Sequence, residues 1–445
     1  MDDKNNLGGG LQPLRVLWVL PKYPTPISDG ARHASCVLIK SLVKLGVLID
    51  VVILDQLQGR NELLSVKEEL GVHGVFLFPR KAIPKGTIGR ILEICRAWFE
   101  KRNLPFTVLP FASKAIAAMF QAMFEGRVLE LQRYGVLGDL KSIDARWHVI
   151  LYDGLHGAAH MFDGKRCVVS DQSPPVYYRA HNVEADIWAG KAARMSESPL
   201  ATIVQWQSLL MREFELSVLR KVREAFPVSE VDVSRLKELL PRLSAEVIPI
   251  GFRFPAHIPQ RSPRKGHFVF VGRLDWEPNR EGLIWFLTEV WPEVIARNPD
   301  VSFDIVGQGE SGYLRKFSSL TGVSIRGYVD SLEDVYAEAQ ASIVPVFLGS
   351  GTRVKVVEAA SFGCPVISTP LGVAGLHLLP EVTYFSAESL ADWVTRFTRT
   401  SEREFQKVAE AAFTHLQQFA DPSESAQKLY CALAPEAGLS LSDAS

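Results

Sequence analysis

An alternation of short apolar runs with longer helical patterns extends along all 445 residues and restarts once, and it limits the fold more than any other feature. The first series of runs is Arg15–Leu20, Ile49–Leu54, Val75–Phe78, His148–Leu151, Val176–Ala180 and Ala225–Val228. These runs are rich in Val, Ile and Leu without strict polar alternation, as strands covered by helices on both faces must be. Helical patterns such as Ala34–Leu45 and Leu200–Val222 lie between them. The stretch Phe252–His267 then brings Pro255, Pro259, Pro263 and four basic residues, the composition of an interdomain linker. Beyond it the alternation resumes with His267–Val271, Val301–Val306, Val323–Arg326, Ala341–Pro345 and Pro365–Ser368. The expected class is α/β, with two doubly wound parallel-sheet (Rossmann-like) domains facing across a cleft. The expected division is a disordered lead-in 1–12, a first domain 13–251, a linker 252–266, a second domain 267–434 with its terminal helices, and a disordered tail 435–445.

Composition narrows the partners. A formal net charge of -1 gives no overall attraction to nucleic acid, and none is expected as a partner. The five cysteines are spread out with no CxxC pair, so neither a zinc site nor a disulfide framework is indicated. The polar start lacks the basic and apolar regions of a signal peptide. No apolar stretch reaches ~18 residues, the length that spans a bilayer. A cytoplasmic protein is expected, on its own or at the cytoplasmic face of a membrane.

In doubly wound sheets, ligands bind at the carboxyl ends of the strands. The segment Ala341–Ala360 carries the most chemistry there: an apolar run enters Gly349-Ser350-Gly351, and a helical pattern begins near Thr352. Glycines let backbone amides approach a ligand, and the next helix's free N–H groups and dipole favour an anion such as a diphosphate. Ser350 or Thr352 fits the N-cap. Arg353 and Lys355 fall in the first turn, where cations oppose the dipole unless an anion is bound between them. Glu358 shares a helix face with Lys355. A plain turn followed by a surface ion pair is the competing account of these residues.

Neighbouring loops favour a ligand site. Val271-Gly-Arg-Leu-Asp puts Arg273 after a strand, Val306-Gly-Gln-Gly-Glu makes a second glycine turn, and Ser324-Ile-Arg-Gly-Tyr-Val and Cys364–Leu376 follow. In this order and spacing, Phe268–Leu376 resembles the donor-binding domain of retaining glycosyltransferases of family 4 (glycosyl transferases group 1), which have the GT-B fold. The resemblance implies transfer of a sugar from a nucleotide-diphosphate-sugar donor to a glycan, lipid-linked or small-molecule acceptor, with retention of configuration. Glu358 matches the glutamate that holds the donor ribose. The partner glutamate eight positions earlier is replaced by Ser350, and a lysine–glycine pair of many relatives by Pro278-Asn279. Arg273 and Lys355 are therefore assigned the diphosphate, with Arg353 as a third cation and Gly351 and Thr352 offering backbone amides.

The first half resembles the family's acceptor domain more loosely. Gly30 matches one glycine of a loop that approaches the donor phosphates, and Asp29 stands where another is common. His181, in Tyr178-Arg-Ala-His-Asn-Val-Glu, matches a histidine facing the donor sugar; Asn182 and Glu184 neighbour it. Asp153 and His156 either line the acceptor pocket or are solvated loop residues. The resemblance implies no cofactor, since the nucleotide-sugar is a substrate, and no metal. Arg80–Arg102 reads as a basic amphipathic helix, suited either to peripheral membrane contact or to covering the sheet. A non-catalytic nucleotide-sugar-binding protein and a sugar-nucleotide epimerase are the alternatives to a transferase; a phosphorylase has no supporting motif.

Overall fold

The computed structural model describes residues 13–439 except 28, 57–59, 81, 83–88, 90–91, 93, 95–102, 144–145, 163–173, 196–199 and 349–353. Most of the expected helix Arg80–Arg102, and all of Gly349–Arg353, lie outside the described residues.

Two sheets form. The first has order β4-β3-β2-β1-β5-β6-β7, with β1 Arg15–Leu20, β2 Leu48–Asp55, β3 Gly74–Pro79, β4 Leu137–Gly138, β5 Val149–Asp153, β6 Val176–Ala180 and β7 Glu224–Pro227. The second has order β10-β9-β8-β11-β12-β13, from β8 His267–Val271, β9 Ser302–Val306, β10 Val323–Gly327, β11 Ala341–Val344, β12 Val366–Ser368 and β13 Phe385–Ser386. All pairings are parallel except that of β3 with the two-residue β4. β1 shows why the strands carry no polar alternation: Leu17 and Val19 enter one core while Val16, Trp18 and Leu20 enter the core on the opposite face. The order reverses beside β1 in one sheet and beside β8 in the other, which places both topological switch points on the cleft. The arrangement of two doubly wound domains across a cleft is the GT-B fold.

Two features depart from the expected division. The linker is not a free tether: Arg261 donates to the carbonyls of Tyr336, Ala339 and Gly363, and Phe252 and Phe254 pack against the second domain. The last long helix, Pro422–Leu433, belongs physically to the first domain although it follows the second in sequence. Its Ala426, Leu429, Tyr430 and Leu433 join the core formed by β1, β2 and the helix Gly30–Lys44. Tyr177 and Arg223 of the first domain then hold Glu436, at 2.7 and 2.9 Å.

Candidate functional site

A cleft of about 580 Å³ lies between the domains. Its second-domain wall is built from loops at the carboxyl ends of β8 and β9 and from the helix Val354–Ser361. Arg273 follows β8 directly, and its guanidinium is gripped by Asp275 at 2.6 and 3.0 Å. The β9 loop approaches so closely that a Cβ on Gly307 would stand 1.8 Å from the Gly272 carbonyl oxygen, so only glycine fits there.

Lys355 and Glu358 both face the cleft from one side of the helix. Lys355 Nζ donates to Asn279 Oδ1 at 2.5 Å and lies 4.3 Å from the centre of the Phe270 ring. Asn279 in turn donates to the Arg273 carbonyl at 2.7 Å. Glu358 accepts from the Tyr336 hydroxyl at 3.1 Å. Burial raises its pKa to about 7, against the opposing pull of Tyr336 and Lys355. The cleft-facing Lys355 thus has Asn279 as a partner within the cleft rather than lying on an open surface.

The first domain supplies the facing wall. Asp29 caps the helix Gly30–Lys44, accepting from the Arg32 N–H at 3.0 Å. Its other oxygen takes Lys22 at 2.7 Å and the Arg32 guanidinium at 2.8 Å. Burial alone would raise the Asp29 pKa, but these donors outweigh it and hold the carboxyl below its usual range. Arg273 comes within 3.9 Å of the same carboxylate from across the cleft. Gly30 marks a close approach of the domains: a Cβ there would lie 2.8 Å from Val354 Cγ2.

His181 follows β6 and faces the cleft. Its Nε2 lies 2.6 Å from Asp153 Oδ1, at the end of β5. Asp153 is fully buried and also receives the Trp18 indole N–H at 2.8 Å and Arg179 at 3.2 Å. Burial works against its charge, yet His181 and Arg179 more than compensate and leave it strongly acidic. Burial lowers the His181 pKa, with Arg179 and Lys22 adding to the effect and Asp153 opposing it. The imidazole is therefore neutral near pH 7, and the carboxylate fixes its proton on Nε2, which makes Nδ1 an acceptor.

Of the residues singled out in the sequence, Arg273, Lys355, Glu358, Gly30, His181 and Asn182 converge on this cleft. Ser350, Gly351, Thr352 and Arg353 lie outside the described residues. Glu184 and His156 instead line a second cavity, of about 330 Å³, inside the first domain and adjoining the cleft. Asp153 lines that cavity too, fully buried rather than solvated. Lys22, Asp275 and Tyr336 carry no signal of a site role in the sequence, where Asp29 and Asn279 stand out only as departures from a pattern. Asp29 had a readable signal, an Asx residue just before a helix with a base three positions on.

Residues 265–396, most of the second domain, match the family described as glycosyl transferases group 1. The chain is 31% identical over 141 residues to an uncharacterized 44.6 kDa protein in the cps region of Klebsiella pneumoniae, covering 28% of this chain and 36% of that protein. It is 33% identical over 145 residues to a phosphatidyl-myo-inositol mannosyltransferase of Mycobacterium tuberculosis, covering 29% and 37%. These matches span about a third of the length of each relative. Whole-chain likeness appears in solved structures. Sucrose-phosphate synthase from Thermosynechococcus elongatus superimposes with a TM-score of 0.64 at 14% identity, over 95% of this chain and 98% of that one. HepE of Anabaena, solved with UDP and glucose, does so with a TM-score of 0.56 at 13% identity, over 95% and 100%. At such identities these two establish the fold.

Proposed function

We propose that the protein is a retaining, metal-independent glycosyltransferase that moves a sugar from a nucleoside-diphosphate donor to an acceptor hydroxyl. The observation that carries this reading is the convergence of Arg273, Lys355 and Glu358 on a cleft wall opposite His181 and the N-terminus of the helix Gly30–Lys44. Breaking the bond between sugar and diphosphate builds negative charge on the leaving group. Fixed cations, already oriented by Asp275 and Asn279, stabilise that charge as it develops without reorganising. The amides at Gly30–Ala31 add the positive end of a helix dipole. Glu358 receives the ribose hydroxyls, and His181 lies across the cleft on the side of the donor sugar. The diphosphate itself receives the acceptor proton on the face it leaves, which gives retention without a strong enzymatic base. The relatives named for mannosyl transfer and the fold neighbour solved with UDP and glucose agree with a nucleotide-sugar donor. The acceptor is a glycan, lipid-linked or small molecule, met on the cytoplasmic side.

The test is a panel of nucleotide sugars read by released nucleoside diphosphate, with and without a chelator. Turnover is expected in both conditions. Arg273→Ala and Lys355→Ala should each lower kcat/KM by about 10²–10³, the cost of removing one electrostatic contact to the transition state. Unchanged turnover in both variants would discard the assignment. Calorimetric binding of nucleotide sugars without any release would identify a non-catalytic binding protein instead.

A further inference from the structure

The cavity inside the first domain has a composition that neutral sugar recognition does not require. Three cations line it, Lys22, Arg32 and Arg80, together with His156. Among the described residues, two carboxylates line it, Asp153 and Glu184. Asp153 is already matched by Arg179 at 3.2 Å and hydrogen-bonded to His181 at 2.6 Å. Glu184 is raised to about 7 by burial, so it carries only part of a charge near neutrality. Behind the wall these cations have acidic neighbours. Lys22 and Arg32 share the single carboxylate of Asp29, while Arg80 takes Asp55 at 2.9 Å.

Arg80 is set with unusual care. Its side chain is only 9% exposed, its Nε donates to the Leu54 carbonyl at 2.9 Å, and its guanidinium lies 4.5 Å over the Phe111 ring. A planar guanidinium fixed at a cavity wall is the group that meets oxyanions with a defined geometry. Asp55 offsets part of the cost of desolvating it there, and an entering anion would offset more. His156 reports the same field: burial pulls its pKa down to about 4, and Arg80 and Lys22 push in the same direction. Phe111 and Leu155 give the cavity apolar surface for a carbon skeleton, and about 330 Å³ is the size of a small-molecule site. The cavity opens to the cleft at Lys22, Ala31, His181 and Asn182, which line both spaces.

We propose that this cavity is an acceptor subsite for a hydroxyl compound bearing an oxyanion, a phosphate or a carboxylate, which Arg80 binds with Lys22 and Arg32 while the reacting hydroxyl reaches the cleft at His181. The proposal rests on the transferase reading for the meaning of acceptor, but its binding test does not depend on turnover. Calorimetric titration compares a neutral hexose with a hexose 6-phosphate, a hexuronic acid, and vesicles of a phosphodiester glycerophospholipid. At least one anion-bearing probe should bind about tenfold or more tightly than the hexose, and which one does so identifies the source of the anion. That preference should shrink as salt rises, because it is electrostatic. Arg80→Gln should remove the preference and Arg80→Lys should keep part of it. The salt series on the unaltered protein stands even if the glutamine variant fails to fold. Equal affinity for all probes, or a preference indifferent to salt in the unaltered protein, would overturn the subsite. Absence of donor turnover, by contrast, would overturn only the transferase reading.

Discussion

Glu215 shows how a single buried acid ties a helix end to the protonation state of the site. It projects from the helix Ala201–Leu219 and accepts from the N–H groups of Glu184 and Ala185, at 3.2 and 2.8 Å, where Val183 provides no side-chain cap. Burial raises its pKa to about 8, although both backbone donors work to lower it. Its folded pKa lies above the ordinary carboxylate value, so the native state binds more protons than the unfolded chain between about pH 4.5 and pH 8. Stability from this group is therefore fullest at low pH and declines as pH rises through that window. Glu215→Gln removes the charge but leaves one oxygen to serve two donors. The variant should be less stable than the parent near pH 5, and the gap should narrow by on the order of 2 kcal/mol by pH 8. Urea unfolding at both pH values measures it; a gap independent of pH would mean that Glu215 stays charged.

Site residues were unequally legible at this scale. Lys355 and Glu358 could be paired because a spacing of three puts side chains on one helix face, and both do face the cleft. Asn279 could not, because its importance lies in touching Lys355 from 76 positions away. Asp153 was visible only as a residue after a strand. Its grip on His181 comes from adjacency of β5 and β6, which only tertiary structure supplies.

At the scale of elements, the N-terminus of the helix Gly30–Lys44 is a contact through which one domain feels the other. The missing side chain at Gly30 lets it lie against Val354, the first residue of the helix that carries Lys355 and Glu358. Gly30→Ala would force a Cβ to within 2.8 Å of Val354 Cγ2 and push the two helices apart. Within the transferase reading, a small displacement of the diphosphate from its cations is costly, so kcat/KM should fall by ~10²-fold. Thermal stability should change little, because the clash is relieved by domain separation rather than in a core. Steady-state kinetics beside a thermal melt separates these effects, and Val354→Ala in the same background should restore part of the rate. The long strands were readable because burial on both faces gives continuous apolar runs. β4 and β13, two residues each, are too short to carry any pattern.

Across the whole molecule, sequence order alone groups Pro422–Leu433 with the terminal helices of the second domain. The helix covers the first, filling a core with residues more than 370 positions downstream of β2. A chain ending at Ala420 should retain the second domain's core yet lose the burial of Ala426, Leu429, Tyr430 and Leu433. At ~1.5–3 kcal/mol for each large apolar side chain, the first domain should lose about 5 kcal/mol or more. Differential scanning calorimetry should show one domain melting early and the other unchanged. A single unshifted transition would show the helix to be dispensable.

The return of that helix has a mechanical consequence. The polypeptide crosses between domains twice, and the crossings lie side by side: the Phe252 N–H donates to the Ala420 carbonyl at 2.7 Å, and a Cβ on Gly251 would touch Pro422 Cα at 2.8 Å. Two strands of chain bound together resist twisting far better than one, while still permitting a rocking motion about their common line. The lobes are thus joined as by a door hinge rather than a string. Slight rotation at Gly251 is magnified along each lobe, and the far lips of the cleft travel farthest.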